Sequence, residues 1–124
     1  MQGPVLIIED DPDIRAALAD VIGEDGHDTI TAANGREALD HLLTLDVFPC
    51  VIVLDLMMPV MDGWQFAAGL REVAAWSNIP IVIVSAGDDV EAEARALGAR
   101  GHLRKPVDLD NLLATVLRCA GKLH

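Results

Sequence analysis

The stretch from Val51 to Gly63 reads VIVLDLMMPVMDG: four aliphatic residues in a row, an aspartate, and a loop that closes on Asp62 and Gly63. An unbroken Val/Ile/Leu run of this length, bounded by turn residues, fits a strand buried on both faces. Such strands belong to parallel sheets with helices packed on either side. The same kind of run occurs at Val5 to Ile8 (VLII) and Ile81 to Val84 (IVIV). More polar versions occur at Thr29 to Ala33 (TITAA) and around Gly101 to Arg104 (GHLR).

Between these runs the apolar residues fall at helical intervals. They are Ile14, Leu18, Val21 and Ile22 in the first segment, Ala38, Leu39, Leu42 and Leu43 in the second, and Leu109, Leu112, Leu113, Val116 and Leu117 in the last. Helix-start signals agree: Asp11 before Pro12, Asn34 three residues before Glu37, Asp62 before Gly63, and Asp108 before the final segment. Five strand–helix units with short connections predict an α/β fold: a doubly wound, five-stranded parallel sheet with right-handed crossovers. No linker or composition shift divides residues 1–124, which predicts a single domain.

Of the 124 residues 52% are hydrophobic, enough for one core. No apolar run approaches the roughly 18 residues of a membrane span, and the N-terminus has no basic lead-in or cleavage site. The expectation is a soluble, cytoplasmic chain with no membrane association. Nine basic against twenty acidic residues give a formal charge of −11, which opposes direct nucleic-acid binding and favours proteins or cations as partners. Cys50 and Cys119 have no metal-site or disulfide spacing and read as packed thiols.

Ligands of open α/β sheets sit beyond the carboxyl ends of the strands. The residues there are Glu9, Asp10 and Asp11 after the first run, Asp55 after the third, Ser85 after the fourth, and Lys105 with Pro106 after the fifth. Taken singly, Asp11 is a helix cap, Ser85 a loop residue and Lys105 a surface charge. Asp55 is different, because it is embedded in an apolar stretch where an unpaired carboxylate is costly. Acids from the first strand end, together with a divalent cation and the Lys105 ammonium, would compensate it, so the pattern predicts metal dependence.

At these residues the chain resembles the receiver domain of two-component response regulators. The resemblance rests on VLIIEDDPDIR, VIVLDLMMPVMDGWQF, IPIVIVSAG and GARGHLRKP, in order and over nearly the whole length. It implies a flavodoxin-like (βα)5 fold in which Asp55 accepts a phosphoryl group from a sensor histidine kinase or a histidine phosphotransfer protein. Glu9, Asp10, Asp55 and the backbone carbonyl of Met57 would hold Mg2+, while Ser85 and Lys105 would contact the phosphoryl group, with the Ser85 hydroxyl moving on activation as a switch. A cis bond would precede Pro106. The only chemistry implied is self-phosphorylation and self-dephosphorylation, so the chain is not expected to be a conventional enzyme. Its output would pass to a downstream protein through the fourth helix, fifth strand and fifth helix, with a homodimer left open. With no output domain after His124, the resemblance is to the single-domain type. A phosphorylation-independent interaction module of the same fold, and a receiver fragment of a longer regulator, are the alternatives.

Three departures from the family pattern stand out. Glu9 replaces the more usual aspartate. His102 stands three residues before Lys105, where the family usually has tyrosine or phenylalanine, and either fills a half-exposed strand position or acts as a switch sensitive to pH. Met57 and Gly87 fall at positions that tune acyl-phosphate hydrolysis in the family, and neither side chain can orient water, which predicts slow self-dephosphorylation. Trp64 and Phe66 are expected to open the third helix and Trp76 to lie near its end, all in packing or surface roles. Asp88, Asp89, Glu91 and Glu93 suit the positive N-terminal end of the fourth helix.

Overall fold

A computed structural model of the chain describes residues 3–121, so the outermost residues of the 1–124 span lie outside the description. The elements alternate as the sequence predicts: β1 (Val5–Ile8), α1 (Pro12–Glu24), β2 (Thr29–Ala32), α2 (Gly35–Thr44), β3 (Val51–Asp55), α3 (Gly63–Glu72), β4 (Ile81–Ser85), α4 (Val90–Leu97), β5 (Gly101–Arg104) and α5 (Leu109–Cys119). The strands form one parallel sheet in the order β2-β1-β3-β4-β5. The order reverses between β1 and β3. Consecutive connections from these two strands leave toward opposite sides, and a crevice opens at their carboxyl ends.

Strand alternation divides the core into two layers. Leu6, Ile8, Ile52, Leu54, Ile81 and Ile83 pack with residues of α2, α3 and α4, including Leu42, Phe66, Leu70 and Val90. Val5, Ile7, Val51, Val53, Val82 and Val84 pack with residues of α1 and α5, including Leu18, Ile22, Leu112 and Val116. Each fully buried aliphatic side chain contributes roughly 1.5–3 kcal/mol, so the three central strands, buried on both faces, carry much of the stability. The edge strand β2 is only partly covered and β5 alternates buried with exposed, which explains their more polar sequences.

The helix starts are held by the side chains that announce them. Asp11 Oδ1 accepts from the N–H groups of Asp13 and Ile14, Asn34 from Glu37, Asp89 from Ala92, and Asp108 from Asp110 and Asn111. Asp62 and Gln65 form a reciprocal capping box at α3. Each such cap stabilises its helix by about 1 kcal/mol. Gly63, the next residue, donates its N–H to Leu56 O at 3.0 Å. A Cβ there would lie 2.7 Å from Asp55 O and Leu56 Cα, so the glycine lets α3 start directly against the end of β3.

Two placements differ from expectation. Trp76 does not lie in the third helix, which ends at Glu72; it follows in a turn and is buried there against the α3–α4 side of the core. Val73 at the C-cap is extended, so the helix stops before the indole, and burial of the ring fixes the turn instead. Leu43 is 72% exposed, because α2 presents only Ala38, Leu42 and part of Leu39 to the sheet. Cys50 and Cys119 are thiols, with Cys119 buried. Among the described residues no helix is long and apolar enough to cross a membrane.

Candidate functional site

Asp55 is the last residue of β3, and only 2% of it is exposed. The pairing of β3 with β1 sets Leu54 against Ile8, so the next residue of each chain segment, Asp55 and Glu9, emerges side by side with the other. Glu9 is as deeply buried, at 1% exposure, while Asp10 is exposed at the rim. From the other side β4 pairs with β5, and Lys105 N–H donates to Ser85 O at 2.9 Å just beyond the last paired residues. Four strand ends thus deliver the predicted residues to one edge.

Lys105 Nζ lies 3.1 Å from Glu9 Oε1 and 3.4 Å from Asp55 Oδ2. The other oxygens are held by backbone: Glu9 Oε2 accepts from Asp11 N–H at 3.2 Å, and Asp55 Oδ1 from Met57 N–H at 3.1 Å. Arg15 donates from Nη1 to Glu9 O at 2.9 Å and fixes the backbone of the first acidic position. The sequence reading missed Arg15; its only signal is a place one helical turn beyond the capping Asp11.

Two buried carboxylates therefore share one ammonium, with a third, Asp10, close by. Burial pushes Asp55 up to about 7, and the neighbouring Glu9 adds to the rise against the opposing Met57 N–H and Lys105 charge. Burial disfavours the Lys105 charge, but Glu9 and Asp55 outweigh it and hold the ammonium above its ordinary pKa. Burial works in the same opposing way on Asp10, whose hydrogen bonding to Asp55 and Glu9 leaves it below the usual carboxylate value.

Glu9 Oε1 and Asp55 Oδ2 are buried without a well-aligned hydrogen-bond donor. One oxygen each from Glu9, Asp10 and Asp55 lies within 4.8 Å of the others. The three carboxylates are therefore close enough together for Glu9, Asp10 and Asp55 to share one cation. Hard oxygen donors, excess negative charge and two unsatisfied buried oxygens fit a divalent cation. The capping role expected of Asp11 holds, and it is not one of the three.

Ser85, 2% exposed, ends β4 with its Oγ accepting the Gly87 N–H at 3.0 Å. The Met57 side chain is 74% exposed, and only its backbone belongs to the site. The Lys105–Pro106 bond is cis. His102 is not part of the cluster: it pairs with Ile83 on the α4 side of β5, exposed beside the outward-facing Arg104.

The sequence model of the response regulator receiver domain matches residues 5–117. Protein PilG of Pseudomonas aeruginosa is 32% identical, the match covering 90% of this chain and 83% of that protein. Sporulation initiation phosphotransferase F of Bacillus subtilis is 32% identical, over 90% of this chain and 89% of that one. Transcriptional regulatory protein TcrA of Mycobacterium tuberculosis is 36% identical, but the match spans 43% of its length. Among solved structures, the chemotaxis protein CheY4 of Vibrio cholerae superimposes with a TM-score of 0.84 at 31% identity, covering 96% of this chain and 99% of that one. With the fold, the acidic edge and these relatives in agreement, the chain belongs to the response regulator receiver domain family.

Proposed function

We propose that this chain is a phosphoacceptor switch: Asp55 takes a phosphoryl group from a phosphohistidine on a sensor kinase or phosphotransfer protein, with Mg2+ bound at Glu9, Asp10, Asp55 and the Met57 carbonyl. The observation that carries the reading is the Asp55 carboxylate, buried at a strand end and sharing a lysine ammonium with a second buried acid.

A carboxylate oxygen of Asp55 attacks phosphorus, the new P–O bond forms as the donor P–N bond breaks, and the bonding pair stays on the imidazole. The charge of the transferring group spreads over its equatorial oxygens, so positioning and positive charge do most of the work. Bound Mg2+ supplies charge neutralisation there. Lys105 supplies a fixed point charge, now shared between Glu9 and Asp55, and the Ser85 hydroxyl is a donor able to leave the Gly87 N–H for a phosphoryl oxygen. The backbone N–H of Met57 keeps the Asp55 carboxylate oriented before reaction.

The chemistry is confined to the chain's own acyl phosphate, and the output is altered protein binding on the face of α4, β5 and α5, where His102 lies. The cytoplasm, where the kinase domain of a sensor would meet it, is the expected location. Incubation with Mg2+ and acetyl phosphate should add one phosphoryl group by intact mass, and Asp55→Ala should abolish the adduct. Continuous phosphate release without an adduct, or no adduct at all, would overturn the reading.

A further inference from the structure

Glu93, in the first turn of α4, folds its carboxylate back over Gly87 in the β4–α4 connection. A Cβ built on Gly87 would lie 2.9 Å from Glu93 Oε1, 3.2 Å from Glu93 Oε2 and 3.2 Å from Ser85 Oγ. The glutamate thus fills, from α4, the space that a side chain at position 87 would take, next to the hydroxyl that ends β4. Its Oε1 is buried and receives no hydrogen bond. A carboxylate oxygen buried without a donor is a weak seat, held by the local packing and easily lost to a competing charge. The sequence reading held only that Gly87 has no side chain to orient water; the fold brings a carboxylate to that position from six residues further on.

We infer that Glu93 is a positioning residue of the phosphorylation switch, its carboxylate opposing arrival of the phosphoryl group beside Ser85 and leaving its seat over Gly87 when that group arrives. This rests on the phosphoacceptor reading of Asp55. A phosphoryl group brings close to two negative charges, and like charges in a partly buried site repel strongly. When the Ser85 hydroxyl turns to the phosphoryl group, the Gly87 N–H loses its acceptor and the connection beneath Glu93 is freed. Displacement of Glu93 acts on α4 directly, because the residue belongs to it. The movement has a built-in reporter. Trp64 of α3, 38% exposed, lines a groove with Ala67, Ala68 and Arg71 on its own helix and with Ala96 and Leu97 of α4.

The test is titration with beryllofluoride at saturating Mg2+, followed by calorimetry in the full chain and by Trp64 emission in a Trp76→Phe background. Glu93→Gln keeps the shape and removes the charge, and should bind the mimic about threefold to thirtyfold more tightly, with a smaller Trp64 response. Glu91→Gln is the control for bulk charge: that residue sits on the exposed face of α4, paired with Arg95 at 3.1 Å, and should bind within about twofold of the parent. Equal affinity of Glu93→Gln and parent, equal effects of the two variants, or no Trp64 change on mimic binding would each overturn the inference. A parent chain that binds no mimic would instead overturn the phosphoacceptor reading.

Discussion

Lys105 Nζ stands 3.1 Å from Glu9 Oε1, closer than its 3.4 Å to Asp55 Oδ2. The longer side chain of glutamate lets the first acidic position reach across and hold the ammonium, so metal and lysine compete for the same carboxylate. Glu9→Gln should therefore weaken Mg2+ binding by about tenfold or more. Lys105→Ala should bind Mg2+ at least as tightly as the parent, since a neighbouring positive charge is removed, yet lose most of its affinity for beryllofluoride. Calorimetric Mg2+ titration of both variants measures this; weaker Mg2+ binding in Lys105→Ala would contradict the shared arrangement.

Stability of the metal-free protein should fall as pH rises. The Asp55 carboxyl goes from 3.8 to about 7 on folding, so between those values the native state holds a proton that the unfolded state has lost. The contribution is fully present below pH 3.8 and gone above pH 7, with a size on the order of 2–4 kcal/mol. Asp10, shifted the other way, acts only at the acidic end of the range. Thermal melts should show a lower midpoint at pH 8 than at pH 5, and Mg2+ should raise it far more at pH 8. Asp55→Asn should melt higher than the parent at pH 8 without metal and lose most of this pH dependence. A flat profile in the parent would rule out a buried protonated carboxyl.

Val60 has a φ of 69°, in the left-handed region that a β-branched residue avoids, and its side chain is 80% exposed. Little packing is at stake there. Val60→Gly relieves the strain, partly offset by the greater freedom of glycine in the unfolded chain, and should raise unfolding stability by about 1 kcal/mol. Urea denaturation at constant m-value would show the gain; a loss would mean that the valine side chain is held by contacts.

Gly63→Ala should act in the opposite sense. Its new Cβ would meet backbone, Asp55 O and Leu56 Cα at 2.7 Å, and backbone at the end of a central strand cannot yield cheaply. A loss of about 1–3 kcal/mol is expected, together with weaker beryllofluoride binding, because the strain falls on the carbonyl of Asp55 itself. Alanine at Gly23, whose Cβ meets nothing within 4 Å, serves as the comparison.

Much of this was legible in the chain itself. The Val/Ile runs at Val5, Val51 and Ile81 are buried on both faces, and the residues Asp11, Asn34, Asp62 and Asp108 cap the helices they precede. These are local choices: strand burial is written in composition, and a cap needs only its own helix's first turn. Trp76 and Leu43 were misplaced because apolar character says that a side chain should be covered, not which surface is there to cover it.

By itself the sequence determined the alternation of strands and helices and the polar residues that end each strand, since both follow from short-range patterning. The tertiary structure alone decided that β1 lies between β2 and β3, and so that Glu9 emerges beside Asp55, with Lys105 brought to both. It likewise decided that Glu93 rests on Gly87 and that Lys105 is shared with Glu9. Such relationships depend on which strands pair and how helices settle on them, and those are set by packing between residues far apart in the chain, where no local pattern records the outcome.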